Sequence, residues 1–354
     1  MDKRSDLADG EANELPVDAS YEPDLPHTHD IAGRTISDDS FESYESYPYP
    51  ELSEMHLRSR RRRYTWPLSL FVLTCLSTFW AGITDWQPHA HTAAITSPIL
   101  LKHLIYAHGL QGLIYMGCVL AILGAHEMGH FVATLRHRVP ASLPFFIPFP
   151  LAPIGTMGAV IGMDGRLANR KQIFDIGIAG PLAGLVVAIP IMAYGVSQLT
   201  LGTEPLRNYH GEIYDCPLLV RWMIEFFHPD AAPVRNVTNR FLNPYFMAGW
   251  VGFLITGLNM LPVSQLDGGH VIYSLFGRRA HWVARAFILF AMTFIVFADA
   301  TIWIPMTLLV VLMGTDHPPT ADDKVSLGTF RTVLGIGSLV IPWLCFPIHG
   351  LIIR

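Results

Sequence analysis

Apolar stretches long enough to cross a lipid bilayer recur along this chain, and they limit the folds open to it. Of its 354 residues, 51% are hydrophobic and only 15% are charged, which is too apolar for a soluble protein of this size. A bilayer core offers no hydrogen-bonding partners, so only helices and closed barrels cross it. About 20 apolar residues make one spanning helix. The sequence therefore predicts an all-α polytopic membrane protein.

We expect six to seven membrane-spanning helices, the first directly after an arginine cluster (Arg58 and residues 60–63). Positive charge stays on the cytoplasmic side of a membrane, so the N-terminus should be cytoplasmic and the first span should run outward. The sixth span has about twelve residues, fewer than the ~20 needed to cross, so the fifth and sixth could form a partial hairpin. The expected spans are residues 64–84, 104–135, 174–198, 244–272, 282–297, 302–313 and 330–353.

Charge separates the N-terminal region from the rest of the chain. Residues 1–57 hold fifteen Asp or Glu and only three Lys or Arg. They lack apolar periodicity and cannot bury enough surface to offset the entropy of ordering. We expect a disordered acidic cytoplasmic tail that ends in the arginine cluster. The expected regions are the tail at 1–63, the first membrane helix with an outer loop at 64–103, a membrane core at 104–275 and C-terminal membrane helices at 276–354.

The connection between the second and third spans is apolar, yet it cannot be one helix. Five prolines interrupt it, and proline removes helix hydrogen bonds. Extended backbone at membrane depth survives only against protein or water. We therefore expect a re-entrant or extended loop that lines a cavity, and its edge could pair with an extended substrate strand. A surface loop on the lipid headgroups is the alternative. The prolines are Pro140, Pro144, Pro148, Pro150 and Pro153.

The motif HEMGH at residues 126–130 places two imidazoles and a carboxylate inside an apolar run. Residues four apart share a helix face, so His126 and His130 can bind one metal ion while Glu127 lies beside a bound water. Ionisable side chains at membrane depth are costly and are usually functional. The alternative is a helix end that reaches the headgroups with two solvated histidines. The pattern favours a zinc hydrolase.

Two histidines leave such a site incomplete, because a catalytic zinc has three protein ligands and an open fourth position. The remaining candidates are Asp164, Asp175, Asp267 and His270. We favour Asp267, since the second and fourth spans both run inward and their ends should meet at similar depth. Pro262 should interrupt the helix just before it. Asp175 is the main competitor, although a carboxylate at a helix start ordinarily complements the helix dipole. His270 could orient Asp267 as a donor.

The HEMGH motif and the segment NMLPVSQLDGG at residues 259–269 together resemble the paired motifs of the site-2 protease family, the intramembrane zinc metalloproteases of peptidase family M50. The run AGPLAG at residues 179–184 is also similar to that family. The resemblance covers about residues 104–275. It implies a three-helix catalytic core, formed here by the second, third and fourth spans.

The resemblance also implies the roles of individual residues and the reaction. His126, His130 and Asp267 would bind one zinc ion per chain, Glu127 would be the general base, and Asn259 would help hold substrate or the developing oxyanion. The expected reaction is hydrolysis of peptide bonds within or near transmembrane segments of membrane-anchored substrates, that is, regulated intramembrane proteolysis. The expected partners are a transmembrane protein substrate and the lipid bilayer, with no nucleic acid. The expected location is the cell (inner) membrane.

Two other function classes use the same kind of residues. Intramembrane His and Asp also line metal-ion or proton pathways, so a membrane transporter is one alternative. An inactive scaffold that keeps the site is the other. A transporter would not need Glu127, which makes that residue the discriminator.

Overall fold

Helices make up most of the chain in the computed structural model, which describes residues 52–201, 211–231, 234–263, 265–298, 300–315 and 317–353. Four of the described helical stretches are long and apolar enough to cross a membrane, so the all-α polytopic class is confirmed. The predicted acidic tail lies almost wholly outside the described residues, as do the side chains of the arginine cluster. The helices are α1 Leu52–Ile83, α2 Ala93–Thr96, α3 Pro98–His137, α4 Arg170–Ser197, α5 Leu218–Phe227, α6 Pro244–Asn259, α7 Asp267–Phe276, α8 Ala280–Phe297, α9 Ile304–Met313, α10 Thr329–Ser338 and α11 Ile341–Cys345.

Short polar residues fix where the core helices begin. Ser97 caps α3 ahead of a proline at its first position, a position where the missing N–H costs nothing. Asn169 and Gln172 form a reciprocal capping box at the start of α4, which satisfies two N–H groups that the helix leaves open. Asn243 caps α6. Helices α3, α4 and α6 pack against one another and form the three-helix core that the resemblance implies.

The fourth predicted span is two helices. Helix α6 ends at Asn259 and α7 begins at Asp267, so the predicted interruption near Pro262 is confirmed. The chain turns back closely at this point: a Cβ on Gly268 would overlap the carbonyl group of Met260. Only glycine fits such an approach. The first turn of α7 is therefore placed against the end of α6.

The fifth predicted span is one helix, α8, whereas the sixth is shorter than predicted and the seventh is divided. Helices α8 and α9 contact each other, as expected for a partial hairpin. The seventh predicted span, residues 330–353, is divided into α10, α11 and a strand, β5 Leu351–Ile353. Pro342 lies in the first turn of α11, where proline starts a helix but cannot continue one.

The proline-rich connection forms an antiparallel hairpin of β1 Phe145–Pro148 and β2 Thr156–Val160, so the predicted extended loop is confirmed. Its turn is held by two membrane helices. The Tyr115 hydroxyl of α3 donates to the carbonyl of Ile154 at 2.8 Å, and Ser77 of α1 donates to the carbonyl of Gly155. The hairpin therefore sits beside α1 and α3.

A second small sheet forms from strands that follow α4 and a strand near residue 350. Strand β3 Glu212–Asp215 pairs antiparallel with β4 Asn236–Thr238 on one edge and with β5 on the other. Helix α5 packs next to α4 with Val220 and Ile224 buried. The sheet links the middle of the chain to the residues near position 350.

Candidate metal centre

The two histidines of the HEMGH motif lie in the C-terminal part of α3 and are buried. Their rings meet edge to face with centroids 4.9 Å apart. Nδ1 of His130 is 2.7 Å from the carbonyl oxygen of Ile176 in α4. A carbonyl only accepts, so Nδ1 carries the proton and Nε2 keeps its lone pair. One backbone contact thus prepares the Nε2 atom of His130 to bind a metal ion.

Asp267 brings a carboxylate to the two histidines from the first turn of α7. Its Oδ2 is 3.1 Å from Nε2 of His126, and its Oδ1 is 3.3 Å from Nε2 of His130. The three ligand atoms all lie within 4.8 Å of one another. Among the described residues, this is the one group of His, Cys, Asp and Glu side chains arranged to hold a metal ion.

Glycines on α4 make room for the histidine rings. A Cβ on Gly180 would overlap the ring of His130, and one on Gly184 would stand 3.2 Å from the ring of His126. On the facing helix α3, a Cβ on Gly129 would lie 2.5 Å from the carbonyl oxygen of Ala179 in α4. Small residues spaced four apart let membrane helices approach closely. The AGPLAG run therefore provides the surface on which the imidazoles rest.

Glu127 and Asn259 complete the surroundings. Glu127 is only 3% exposed and is close enough to interact electrostatically with His126, His130 and Asp267. Nδ2 of Asn259, at the end of α6, is 3.3 Å from Nε2 of His126. A carboxylate and an amide donor therefore border the point on which the ligand atoms converge.

The other third-ligand candidates have different partners. Asp175 accepts from Arg331 Nε at 2.7 Å and contacts His137 Nε2 at 3.0 Å, so it joins α4 to α10 and to the end of α3. Asp164 pairs with its neighbour Arg166 near the surface. No hydrogen bond joins His270 to Asp267 in the described part of the chain, so the orienting role suggested for His270 stays a prediction. Its Nδ1 is instead 2.7 Å from Nε2 of His317.

The donor set suits zinc. Two imidazole nitrogens and one carboxylate oxygen are ligands that zinc takes in hydrolytic sites, where three protein ligands leave a fourth position open. The backbone bond from His130 to Ile176 is the kind of support that fixes a ligand ring. These residues therefore fit a catalytic zinc ion.

Sequence reasoning missed the supporting residues. The Ile176 carbonyl has no signature in the sequence, because every residue has a carbonyl. Gly180 and Gly184 stand out in the sequence as part of a family-like run, and small residues four apart on an apolar helix are also a sign of close packing. Nothing near His317 in the sequence indicates a site.

Comparisons with known proteins give the family. The model of peptidase family M50 matches residues 114–298, just over half of the chain and including every residue of the centre. The chain is 30% identical over 304 residues to the probable zinc metalloprotease EGY1, chloroplastic, of Arabidopsis thaliana, which covers 81% of this chain and 53% of that protein. It is 32% identical to EGY1 of Oryza sativa subsp. japonica, over 60% of this chain and 36% of that protein.

A third relative, the probable zinc metalloprotease EGY2, chloroplastic, of Arabidopsis thaliana, is 29% identical over 45% of this chain and 28% of its own length. The chain thus spans about half the length, or less, of these curated relatives. The family match covers both paired motifs and the hairpin between them. The chain belongs to peptidase family M50, the site-2 protease family that its motifs resemble.

Proposed function

We propose that this chain is an intramembrane zinc metalloprotease that hydrolyses peptide bonds within or near the transmembrane segments of membrane-anchored proteins. The observation that carries the proposal is the convergence of two imidazoles and a carboxylate, from α3 and α7, on one point inside apolar helices. The names of the curated relatives, probable zinc metalloproteases, support the same chemistry. In this proposal His126, His130 and Asp267 are the zinc ligands.

Each remaining residue of the centre has a chemical task. Zinc bound to such a set lowers the pKa of water and polarises a carbonyl group. Glu127 accepts the proton from the attacking water and returns it to the departing amine, as a general acid and base does. The amide N–H of Asn259 points toward the same centre and can donate to the oxyanion that forms on the substrate.

The hairpin gives the substrate a place to bind. A helix hides its carbonyls in hydrogen bonds, so a transmembrane substrate must be locally extended before cleavage. Strands β1 and β2 pair with each other, and each leaves one edge that can accept another strand in antiparallel or parallel register. We propose that the unwound substrate segment adds to this hairpin, which presents its peptide bond to the centre.

Water reaches the centre from the side where α3 ends. His130 precedes the last residue of α3, His137, by about two turns, or about 10 Å along the axis. Basic residues cluster on this side of the core, after α3 and at the start of α4. We propose that this side is cytoplasmic, that the N-terminus lies there, and that the protein is in the cell (inner) membrane. The names of the relatives place those proteins in chloroplasts, so fusions of a reporter to the loops before α4 and after α4 test the orientation.

The decisive experiment compares cells that carry the intact chain with cells that carry Glu127→Gln. This variant keeps the three ligands and removes the proton acceptor, so purified protein should still contain zinc while membrane-fragment release stops. Mass spectrometry of the accumulated precursors would identify the substrates. The matched control is Glu225→Gln on the exposed side of α5, which should release fragments normally.

A different outcome would reject the proposal. If no cleavage occurs with the intact chain and Glu127→Gln leaves a zinc or proton flux unchanged, the centre belongs to a transporter. Absence of zinc from the intact purified protein would point to an inactive scaffold.

A further inference from the structure

The segment at residues 317–323, here called the strap, follows α9 and crosses the start of α4. The backbone N–H of Ala321 donates to the carbonyl of Ala168 at 2.9 Å, and the N–H of Arg170 donates to the carbonyl of Asp322 at 3.2 Å. The family match ends at residue 298, so the strap lies beyond it. It is nevertheless hydrogen-bonded to a core helix.

The strap also holds α7, the helix that carries Asp267. The Tyr273 hydroxyl lies 2.9 Å from Oδ2 of Asp323 and donates to that carboxylate, which also accepts from the Thr320 hydroxyl at 2.6 Å. The ring of His317 stacks on the ring of Tyr273, with centroids 4.1 Å apart and an interplanar angle of 14°. The strap thus contacts α7 through a hydrogen bond and a ring stack.

The closest contact between the strap and α7 is a hydrogen bond between His317 and His270, and its donor and acceptor can be assigned. His317 Nδ1 is 2.6 Å from the carbonyl oxygen of Pro318, so Nδ1 carries the hydrogen. Burial lowers the pKa of His317, which favours the neutral ring with a free lone pair on Nε2. That lone pair accepts the Nδ1–H of His270 at 2.7 Å.

His270 is one turn beyond Asp267 on α7, and its Cβ lies against α4. A Cβ on Gly177 would lie 2.8 Å from the Cβ of His270, so α7 already touches α4 and has no room to move closer. The strap contacts the same turn of α7 through His317. Helix α7 is therefore in contact with both α4 and the strap within one turn of the carboxylate.

We propose that His317 is a positioning residue: through its hydrogen bond with His270 it sets the place of α7 and so keeps the Asp267 carboxylate within reach of His126 and His130. This inference rests on the proposed zinc site and extends it to a segment beyond the family match. Loss of groups that orient a metal ligand typically weakens metal binding 10–100-fold.

The test uses purified full-length protein and needs no substrate. Zinc affinity is measured by competition with a chelator, and the visible spectrum of the Co²⁺-loaded protein reports ligand geometry. His317→Ala should weaken zinc binding about tenfold or more and change the Co²⁺ spectrum. His317→Gln should recover much of the affinity, because its amide oxygen can accept the hydrogen of His270. With a cleavable substrate, His317→Ala should lower kcat and leave KM unchanged.

The matched control is His281→Ala in α8, whose ring contacts only the carbonyl of Arg278 among the hydrogen-bond partners described for it. It should bind zinc as the intact protein does. A milder variant, Tyr273→Phe, keeps the ring stack and removes the hydroxyl that donates to Asp323, so a smaller loss of affinity is expected. If His317→Ala fails to fold, Tyr273→Phe is used in its place to test whether the strap affects zinc binding.

Two failures can be told apart. If the intact protein binds zinc and cleaves substrate, but His317→Ala or Tyr273→Phe lowers only the Tm and leaves zinc affinity and the Co²⁺ spectrum unchanged, the strap is merely structural and this inference is wrong. If the intact protein binds no zinc, the proposed function itself fails.

Discussion

Helix α3 meets two other helices at glycine-lined crossings, and the two crossings have different roles. At the first crossing, in the N-terminal half of α3, Gly112 faces α1, where an added Cβ would lie 2.6 Å from Ile83 Cγ2 and 3.0 Å from the ring of Phe79. At the second crossing, toward its C-terminal end, α3 meets α4 at Gly180 and Gly184, where an added Cβ would meet imidazole rings. The same small residues give apolar packing at one crossing and place metal ligands at the other. Sequence alone does not separate these roles.

The largest effect should come from Asp267, whose carboxylate faces the two histidines held at the second crossing. Asp267→Asn removes the negative charge that faces both histidines, so the zinc content of purified protein should fall from about one per chain to near zero, with loss of cleavage. Metal analysis checks it. The control is Asp175→Asn, which breaks a pair with Arg331 and should leave zinc in place. Equal loss in both variants would contradict the assignment of Asp267.

Gly180→Ala should come next, because the added methyl group overlaps the His130 ring and must push it off its Ile176 hydrogen bond. We expect zinc affinity to fall 10–100-fold, as when other supports of a metal ligand are lost. Chelator competition measures the change. Gly117→Ala is the control on α3, since no atom lies within 4 Å of an added Cβ. Normal zinc affinity in Gly180→Ala would show that the second crossing, like the first, affects packing and not metal binding.

Gly112→Ala should separate stability from metal binding. Overpacking against Ile83 and Phe79 should cost about 1–3 kcal/mol of unfolding free energy, while zinc affinity stays unchanged because the site lies several turns away along α3. Unfolding of detergent-solubilised protein, followed by helix content, gives the first quantity and chelator competition the second. A drop in zinc affinity would mean that the first crossing also affects metal binding at the centre.

The smallest effect is expected at the contact between α1 and the hairpin. Ser77→Ala removes the hydroxyl that donates to Gly155 and accepts from the Phe149 N–H at 3.2 Å. The hairpin should hold substrate less well, so KM should rise a few-fold, consistent with about 1 kcal/mol for a lost hydrogen bond, with zinc content unchanged. Ser197→Ala, at the exposed end of α4, should leave KM unaltered.

Much of the centre could be predicted from the sequence, for physical reasons. The spacing of His126 and His130 fixes them on one helix face, and the shared direction of the second and fourth spans puts Asp267 at a similar depth. The prolines of the connection exclude a helix. The supports could not be predicted, because Gly180 and Gly184 depend on where two helices cross, and His317 is 47 positions from His270. The seventh predicted span stays mostly apolar across its break, and Pro342 alone marks the start of α11, so composition does not predict two helices and a strand there.

The pairing of β3 with β5 restricts the topology of the whole C-terminal region. Two strands joined by backbone hydrogen bonds cannot lie on opposite faces of a bilayer, so Tyr214 and its partner Leu351 are on the same face. Strand β4, just before α6, belongs to that sheet too. Between β4 and β5 the polypeptide must therefore cross the membrane an even number of times, however its short helices are counted. The even number of crossings, rather than the length of each helix, decides on which face of the membrane residue 351 lies.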